Sequence, residues 1–228
     1  MAQGIHDRLL RVQERIRAAA MRAGREAGAV TLVAVSKTVP TEVIREALIA
    51  GVTILGENRV QEARDKIAAL SGMATWHLVG HLQTNKAKLA VQLFDVIHSL
   101  DSVRLAEALD RSAEQAGKAV RCLVEVNLAG EESKSGTTEE GVCPLLEGAM
   151  RLGHLRIEGL MTVPPFLPDP EEARPFFRRL RNLRDKLAGD GFGLAELSMG
   201  MTHDFEVAIE EGATMVRIGT AIFGPRSQ

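Results

Sequence analysis

A lysine stands directly after the apolar, β-branched run Thr31–Ser36. Alternate side chains of a strand share a face, so Val33, Val35 and Lys37 point the same way. An amine at the end of a buried strand is desolvated, which lowers its pKa and frees it as a nucleophile toward carbonyl carbon. Such a lysine condenses with the aldehyde of a sugar-like substrate or of a cofactor; the plainer reading is a solvated lysine at a strand end. Two later segments bear on that choice. Ser198-Met199-Gly200-Met201-Thr202-His203-Asp204 brings a hydroxyl, a glycine and backbone N–H groups to the start of a helix, and Arg217-Ile218-Gly219-Thr220 makes a second such corner. Helix starts and nests of exposed N–H groups bind phosphate, although glycine corners also serve simply to turn the chain. Arg217 sits within the apolar run Met215–Ile218, where a buried charge needs a partner. Glu196 or Glu125 could supply an ion pair, or the partner could be a bound anion or a heteroaromatic nitrogen.

Other chemistries fit less well. His77, His81, His98, His154 and His203 are scattered, and the His77/His81 spacing falls on a strand-to-loop segment, so no metal is expected. His77 beside Trp76 reads as a core or pocket-lining residue. Cys122 and Cys143 are unclustered and form neither a disulfide framework nor a zinc site, which suits a reducing, cytoplasmic setting. With 28 basic and 30 acidic residues, a formal charge of −2 gives no global attraction to nucleic acid or anionic membrane. No apolar run is long enough to span a bilayer. Residues 1–28 read as an amphipathic helix rather than a signal peptide, because Leu9, Val12, Ile16 and Ala19 fall on one face among mixed charges. Its arginine-rich face is expected to be solvated.

The elements that must position these residues alternate strictly. Apolar runs at Thr31–Ser36, Thr53–Gly56, Trp76–Val79, Val96–Leu100, Val120–Leu128, Leu155–Met161, Leu194–Met199 and Met215–Gly219 are separated by helical patterns. The helices fall near Thr41–Ala50, Arg59–Leu70, Lys86–Gln92, Ser102–Ala116, Thr138–Arg151, Glu171–Leu187 and Asp204–Glu211. Helical crossovers make the strands parallel. Either an open doubly wound sheet or a closed (β/α)₈ barrel accepts the pattern. The first strand is not followed by a Gly-x-Gly-x-x-Gly turn, which favours the barrel. Residues 1–228 are therefore expected to form one α/β domain, a (β/α)₈ TIM barrel with residues 1–28 packing on it as an extra helix. A barrel builds its site at the C-terminal ends of its strands. Those ends carry Lys37, Glu57–Asn58, Gly80–His81, Ser99, Asn127, Met161–Thr162, Ser198–Gly200 and Gly219–Thr220.

In that order the motifs Val35-Ser36-Lys37, Gly56-Glu57-Asn58-Arg59-Val60-Gln61-Glu62, Trp76-His77-Leu78-Val79-Gly80-His81-Leu82-Gln83-Thr84-Asn85-Lys86, Gly159-Leu160-Met161-Thr162, Ser198-Met199-Gly200-Met201 and Val216–Gly224 resemble one family along essentially the whole chain. It is the pyridoxal-phosphate homeostasis proteins, related to the N-terminal barrel of alanine racemases. The resemblance implies pyridoxal 5′-phosphate (PLP) at the barrel mouth, held as a Schiff base on Lys37. It implies Arg217 facing the pyridine nitrogen, and Ser198 with the backbone of Gly200, Gly219 and Thr220 around the phosphate. Asn58, Met161 and His77 would line the ring and its approach, and Asn85, Lys86 and Lys134 match polar positions near the mouth without an assigned role. An arginine cannot protonate the pyridine nitrogen, so the ring would be a poor electron sink.

Alanine racemases resemble this barrel but need a tyrosine acid/base opposite the lysine, and this sequence contains no tyrosine. Two-base racemisation needs proton donors on both faces of the carbanion. The implied role is thus a PLP-binding homeostasis protein without catalytic residues. It would act as a monomer in the cytoplasm, buffering PLP and passing it to apo PLP-dependent enzymes. The alternatives are a PLP-dependent, racemase-like enzyme of weak activity and a cofactor-free Schiff-base aldolase.

Overall fold

The computed structural model describes residues 4–131 and 134–225; positions 1–3 and 226–228 of the expected domain lie outside the described residues. The strands are β1 Thr31–Val35, β2 Ile54–Glu57, β3 Thr75–Leu78, β4 Val96–Leu100, β5 Val120–Glu125, β6 Leu155–Met161, β7 Glu196–Met201 and β8 Met215–Ile218. The helices are α1 Ile5–Arg22, α2 Thr41–Ile49, α3 Val60–Ala69, α4 Ala87–Leu93, α5 Val103–Gln115, α6 Val142–Ala149, α7 Arg174–Gly189, α8 Phe205–Glu210 and α9 Thr220–Phe223. Each strand pairs in parallel with its neighbours in sequence, and β8 pairs with β1 to close the barrel. The (β/α)₈ expectation holds.

Parity along the strands sorts the core into two parts. Ala34, Leu55, Leu78, Ile97, Leu160, Leu197, Val216 and Ile218 join helix residues such as Ile44, Leu109, Leu146 and Leu180 in the large apolar layer between barrel and helices. Inside the barrel a small separate cluster holds Leu123, Met161 and Met215, with Val163 packed on it. Burying branched side chains stabilises by roughly 1.5–3 kcal/mol each, and most of that is gained in the outer layer.

Helix boundaries move where side chains supply local caps. The expected Glu171–Leu187 helix splits into a 3₁₀ turn at Pro170–Ala173 and α7, because the Asp169 carboxylate accepts from Glu171 N at 2.9 Å. Before α6, Thr138–Gly141 forms a turn instead of helix, with Gly141 N donating to Thr138 Oγ1 at 3.2 Å. β5 stops at Glu125, and only an isolated bridge from Val126 to Thr137 continues it. The short α9 was not expected from the sequence.

α1 buries Ile5, Leu9, Val12, Ile16 and Ala19. Its charged face is not simply solvated. Arg15 pairs with Glu206 at 2.8 Å and Arg22 with Glu210 at 2.8 Å. Arg25 Nη1 donates to the carbonyls of Ile209 and Ala213, and Arg8 Nε to that of Ile222. These bonds tie α1 to α8 and α9. An amphipathic pattern identifies the buried stripe of a helix but not what its charged stripe will meet.

Gly159 tests the closeness of β6 and β7. A Cβ there would fall inside contact distance of the Glu196 carbonyl. Gly159→Ala should therefore destabilise by about 1–3 kcal/mol, the usual cost of overpacking, seen as a lower urea midpoint with an unchanged slope.

Candidate cofactor site

β1 ends in a tight turn. Val39 N donates to the Ser36 carbonyl at 3.0 Å, and Thr38 takes φ 62, the left-handed region that a β-branched residue occupies at a cost of about 1–3 kcal/mol. Lys37 sits in this turn and lines a cavity of about 600 Å³ at the C-terminal end of the barrel. Val35, Val79, Val163, Phe166 and Met201 give the cavity apolar walls, and Asn58, Thr202, His203, Arg217, Gly219 and Thr220 complete its lining. A volume of this size suits a small organic ligand.

Arg217 is 4% exposed. Among the described residues it forms no direct ion pair: Nη1 donates to Ser198 Oγ at 2.5 Å and Nη2 to the Thr162 carbonyl at 2.8 Å. Burial pulls its pKa down to about 10, opposed by Glu125 and Asp204, so it stays cationic at neutral pH. Ser198 Oγ lies 2.9 Å from His98 Nδ1, and His98 Nε2 lies 2.9 Å from His77 Nδ1. Burial drives the His77 pKa down to about 4 and that of His98 well below its ordinary value, leaving both rings neutral. Because Arg217 can only donate, Ser198 O–H is left to donate to His98 Nδ1, and His98 Nε2–H then donates to His77 Nδ1. This polar chain fills barrel space that branched apolar side chains usually occupy.

At the other rim, Thr220 Oγ1 donates to Thr202 Oγ1 at 3.3 Å, so two hydroxyls meet where β7 and β8 end. Gly219 lets that corner approach β1: a Cβ would stand 3.1 Å from the Val35 carbonyl. Asp204 accepts from Met201 N at 2.6 Å and shapes the loop after β7. His203 Nε2 lies 3.0 Å from the Pro168 carbonyl, and its ring packs on Phe166 with centroids 5.4 Å apart. This contact joins the loops after β6 and β7.

The donor set fits a small phosphorylated aldehyde with a flat ring. It comprises an amine, a floor guanidinium, paired hydroxyls beside a glycine of the lining, and aliphatic side walls. The family profile described as alanine racemase, N-terminal domain, matches residues 8–227. The pyridoxal phosphate homeostasis protein of Aquifex aeolicus is 49% identical over 222 residues, covering 96% of this chain and 97% of that protein. The chain belongs to the pyridoxal phosphate homeostasis protein family. The namesake protein of Escherichia coli K12 is 40% identical over 225 residues, covering 96% and 95% of the two chains. PipY of Synechococcus elongatus, solved with PLP bound, superposes with a TM-score of 0.83 at 40% identity, covering 93% of this chain and all of that one. Its PLP-free form gives 0.88 at 39% identity, covering 96% of this chain and 100% of that one. An alanine racemase of Clostridium difficile, 16% identical with a TM-score of 0.72, shares the fold; it is matched over 96% of this chain and 57% of its own.

Of the residues singled out in the sequence, Lys37, Asn58, Arg217, Gly219 and Thr220 come together on the cavity of this family member. His77, Met161 and Ser198 lie beneath it. Met161 packs in the interior cluster, while Ser198 and His77 belong to the polar chain behind Arg217. Gly200, at φ 91, packs tightly against the start of α8, where a Cβ would meet Ala208 Cβ at 2.6 Å, and it is not among the residues lining the cavity. Glu57 turns outward, away from the mouth, and bonds Ser36 and Lys66. Lys86 lines a smaller neighbouring cavity with Asn58, Arg59 and His81, and Lys134 pairs with Glu131 at 2.8 Å. The sequence reading passed over Thr202, although it follows Gly200 in a quoted motif, and His98, an inward-parity histidine within β4.

Glu125 also belongs to the barrel interior. Burial raises its pKa from 4.5 to about 7, with Arg217 opposing and Asp101 assisting, and its Oε2 has no hydrogen-bond partner among the described residues. Below pH 4.5 both folded and unfolded chains hold this proton. Above pH 7 the folded state must ionise a buried group, and stability falls across that window by about 3 kcal/mol. Glu125→Gln should therefore stabilise the protein against urea at pH 8, with the gain vanishing near pH 4. An equal gain at both pH values would contradict this origin.

Proposed function

We propose that this protein holds PLP in the cavity at the barrel mouth and serves PLP homeostasis. The observation that carries this reading is the shared cavity of Lys37 and Arg217, with the Thr202–Thr220 hydroxyl pair at its rim. Family membership and the PLP-bound PipY structure support it. When bound, PLP supplies an aldehyde that a primary amine can hold reversibly as a C=N bond with loss of water.

Each residue then has a task set by its chemistry. Lys37 provides the amine. Arg217 would donate to the pyridine nitrogen and, being cationic, would leave that nitrogen without a proton. Thr202, Thr220 and the close-approaching backbone at Gly219 would take the phosphate, and Val35, Val79, Val163 and Met201 would keep water from the ring. Asn58 orients the ring edge. Ser198, His98 and His77 act one layer back, fixing the guanidinium.

The same chemistry argues for holding rather than turnover. A guanidinium partner keeps the ring from drawing electrons strongly, and a sequence without tyrosine lacks the second acid/base that racemisation requires. Apo PLP-dependent enzymes are the proposed recipients, and the cytoplasm the proposed compartment. Among the described residues no helix is long and apolar enough to cross a membrane.

The test is the visible spectrum of purified protein with added PLP, before and after borohydride, followed by peptide mass spectrometry. Wild type should be yellow and carry the reduced adduct on the Lys37 peptide. Lys37→Ala should lose the adduct entirely and bind PLP at least about tenfold more weakly. A wild-type protein that stays colourless in excess PLP would sink the proposal and favour a cofactor-free Schiff-base enzyme. Given a yellow protein, solvent deuterium entering the α-position of added amino acids would favour the weak racemase-like reading.

A further inference from the structure

Behind Lys37, on the outer face of the barrel, a buried ammonium gathers the groups that hold the lysine's two chain neighbours. Lys66 of α3 is 8% exposed. Its Nζ donates to the Ser36 carbonyl at 2.6 Å, to Glu57 Oε1 at 2.8 Å and to Glu62 Oε1 at 2.7 Å. An ammonium has three donors, and all three are engaged. The Ser36 hydroxyl donates to the same Glu57 oxygen at 2.6 Å, and Thr38 N donates to the same Glu62 oxygen at 2.6 Å. Ser36 is thus held by its carbonyl and its side chain, and Thr38 by its amide. Lys37 lies between them.

Stability alone is a poor account of this arrangement. A buried ion pair seldom outperforms well-packed apolar side chains of similar volume, and lysine is among the residues least often buried. What the cluster provides that apolar packing could not is directed bonding to a carbonyl on one side of Lys37 and an amide on the other. It also bonds the turn at its unfavourable point, since Thr38 at φ 62 has its N–H tied to a carboxylate. The Ser36 carbonyl accepts both from Val39 N, closing the turn, and from Lys66, joining the turn to α3.

We infer that Lys66, with Glu57 and Glu62, is a positioning cluster for Lys37, clamping the Ser36–Val39 turn from outside the barrel so that the amine is presented to the cavity in one orientation. The inference rests on the proposed binding of PLP by Lys37. The cluster touches no ligand itself; it acts through the backbone on either side of the residue that does. Misplacing a reacting group by about 1 Å commonly costs about two orders of magnitude in reactivity, so a clamp of this kind has a measurable consequence.

The experiment compares Lys66→Met, Glu62→Gln and Leu70→Ala with wild type in full-length protein. Leu70 is buried at the end of α3, does not line the cavity and supplies no side-chain group to the clamp, so its truncation loosens the same helix while leaving the clamp's bonding groups in place. Three quantities are read: the thermal midpoint without PLP, the PLP affinity by titration, and the circular dichroism of the bound cofactor's visible band, which reports a fixed orientation. Lys66→Met should weaken PLP binding at least about tenfold and lose more than about half of the visible dichroism per bound PLP. Leu70→Ala should keep both near wild type despite a lower thermal midpoint. If Lys66→Met does not fold, Glu62→Gln decides the matter, with an expected loss of about threefold or more in affinity and a reduced dichroic band. Wild-type affinity and dichroism in a folded Lys66→Met or in Glu62→Gln would overturn the inference, as would equal losses in Leu70→Ala. A wild-type protein that takes up no PLP would instead overturn the functional proposal on which the inference rests.

Discussion

A guanidinium removed from water sets the terms for the upper half of this barrel. Arg217 is almost fully buried, and an unsolvated cation demands acceptors at fixed positions. Ser198 and the Thr162 carbonyl supply them from β7 and from the end of β6. Having accepted from Arg217, the Ser198 hydroxyl turns its own hydrogen to His98, which in turn meets His77. One charged side chain thus dictates the contents of strands on three sides of the interior. Inside the barrel the contiguous apolar cluster is only Leu123, Met161 and Met215, and most apolar burial lies in the layer beneath the helices.

The two walls facing each other across the cavity are built differently. On the β1 side the chain turns through a strained residue and is held from outside by a cluster centred on Lys66. On the β7–β8 side the chain turns through glycines, and the short helices that follow are braced by α1 through Arg8, Arg15, Arg22 and Arg25. In both cases a segment that lines the cavity is followed or flanked by groups bonded on the far side of the barrel wall. An isolated strand end offers too few contacts to hold a polar side chain in one direction, so the helical layer supplies the missing constraint.

The alanine racemase likeness is one of fold, and the chemistry of the site separates the two cases. The same barrel can support proton abstraction or simple retention of an aldehyde, depending on what faces the ring nitrogen and which acids stand on its two sides. In the proposed binding mode a guanidinium would fill the first position, and the sequence has no tyrosine to fill the second role. The proposed storage role follows from those groups and not from the barrel.

The order of the elements was written in the sequence, because eight β-branched runs separated by helical patterns permit few parallel arrangements. Strand parity aimed Lys37 at the mouth, and the apolar setting of Arg217 announced a buried charge. Both readings are local, needing only a period of two and the cost of burying a cation. The placements of Ser198 and Thr202 were beyond such reasoning. The ladder between β7 and β8 shifts register between Ser198 and Met201, so simple alternation ends just where the loop begins. Ser198 therefore faces Arg217 inside, and Met201 and Thr202 line the cavity. Glu57 had the right address at a strand end but the wrong parity, and its partner Lys66 lies on α3, on the outer side of the barrel wall. The pairing of His77 with His98 likewise joins two strands. Sequence alone determined which residues could do chemistry and on which strands they lie; tertiary structure decided which of them share a cavity, because that depends on register shifts and contacts between elements that no local pattern encodes.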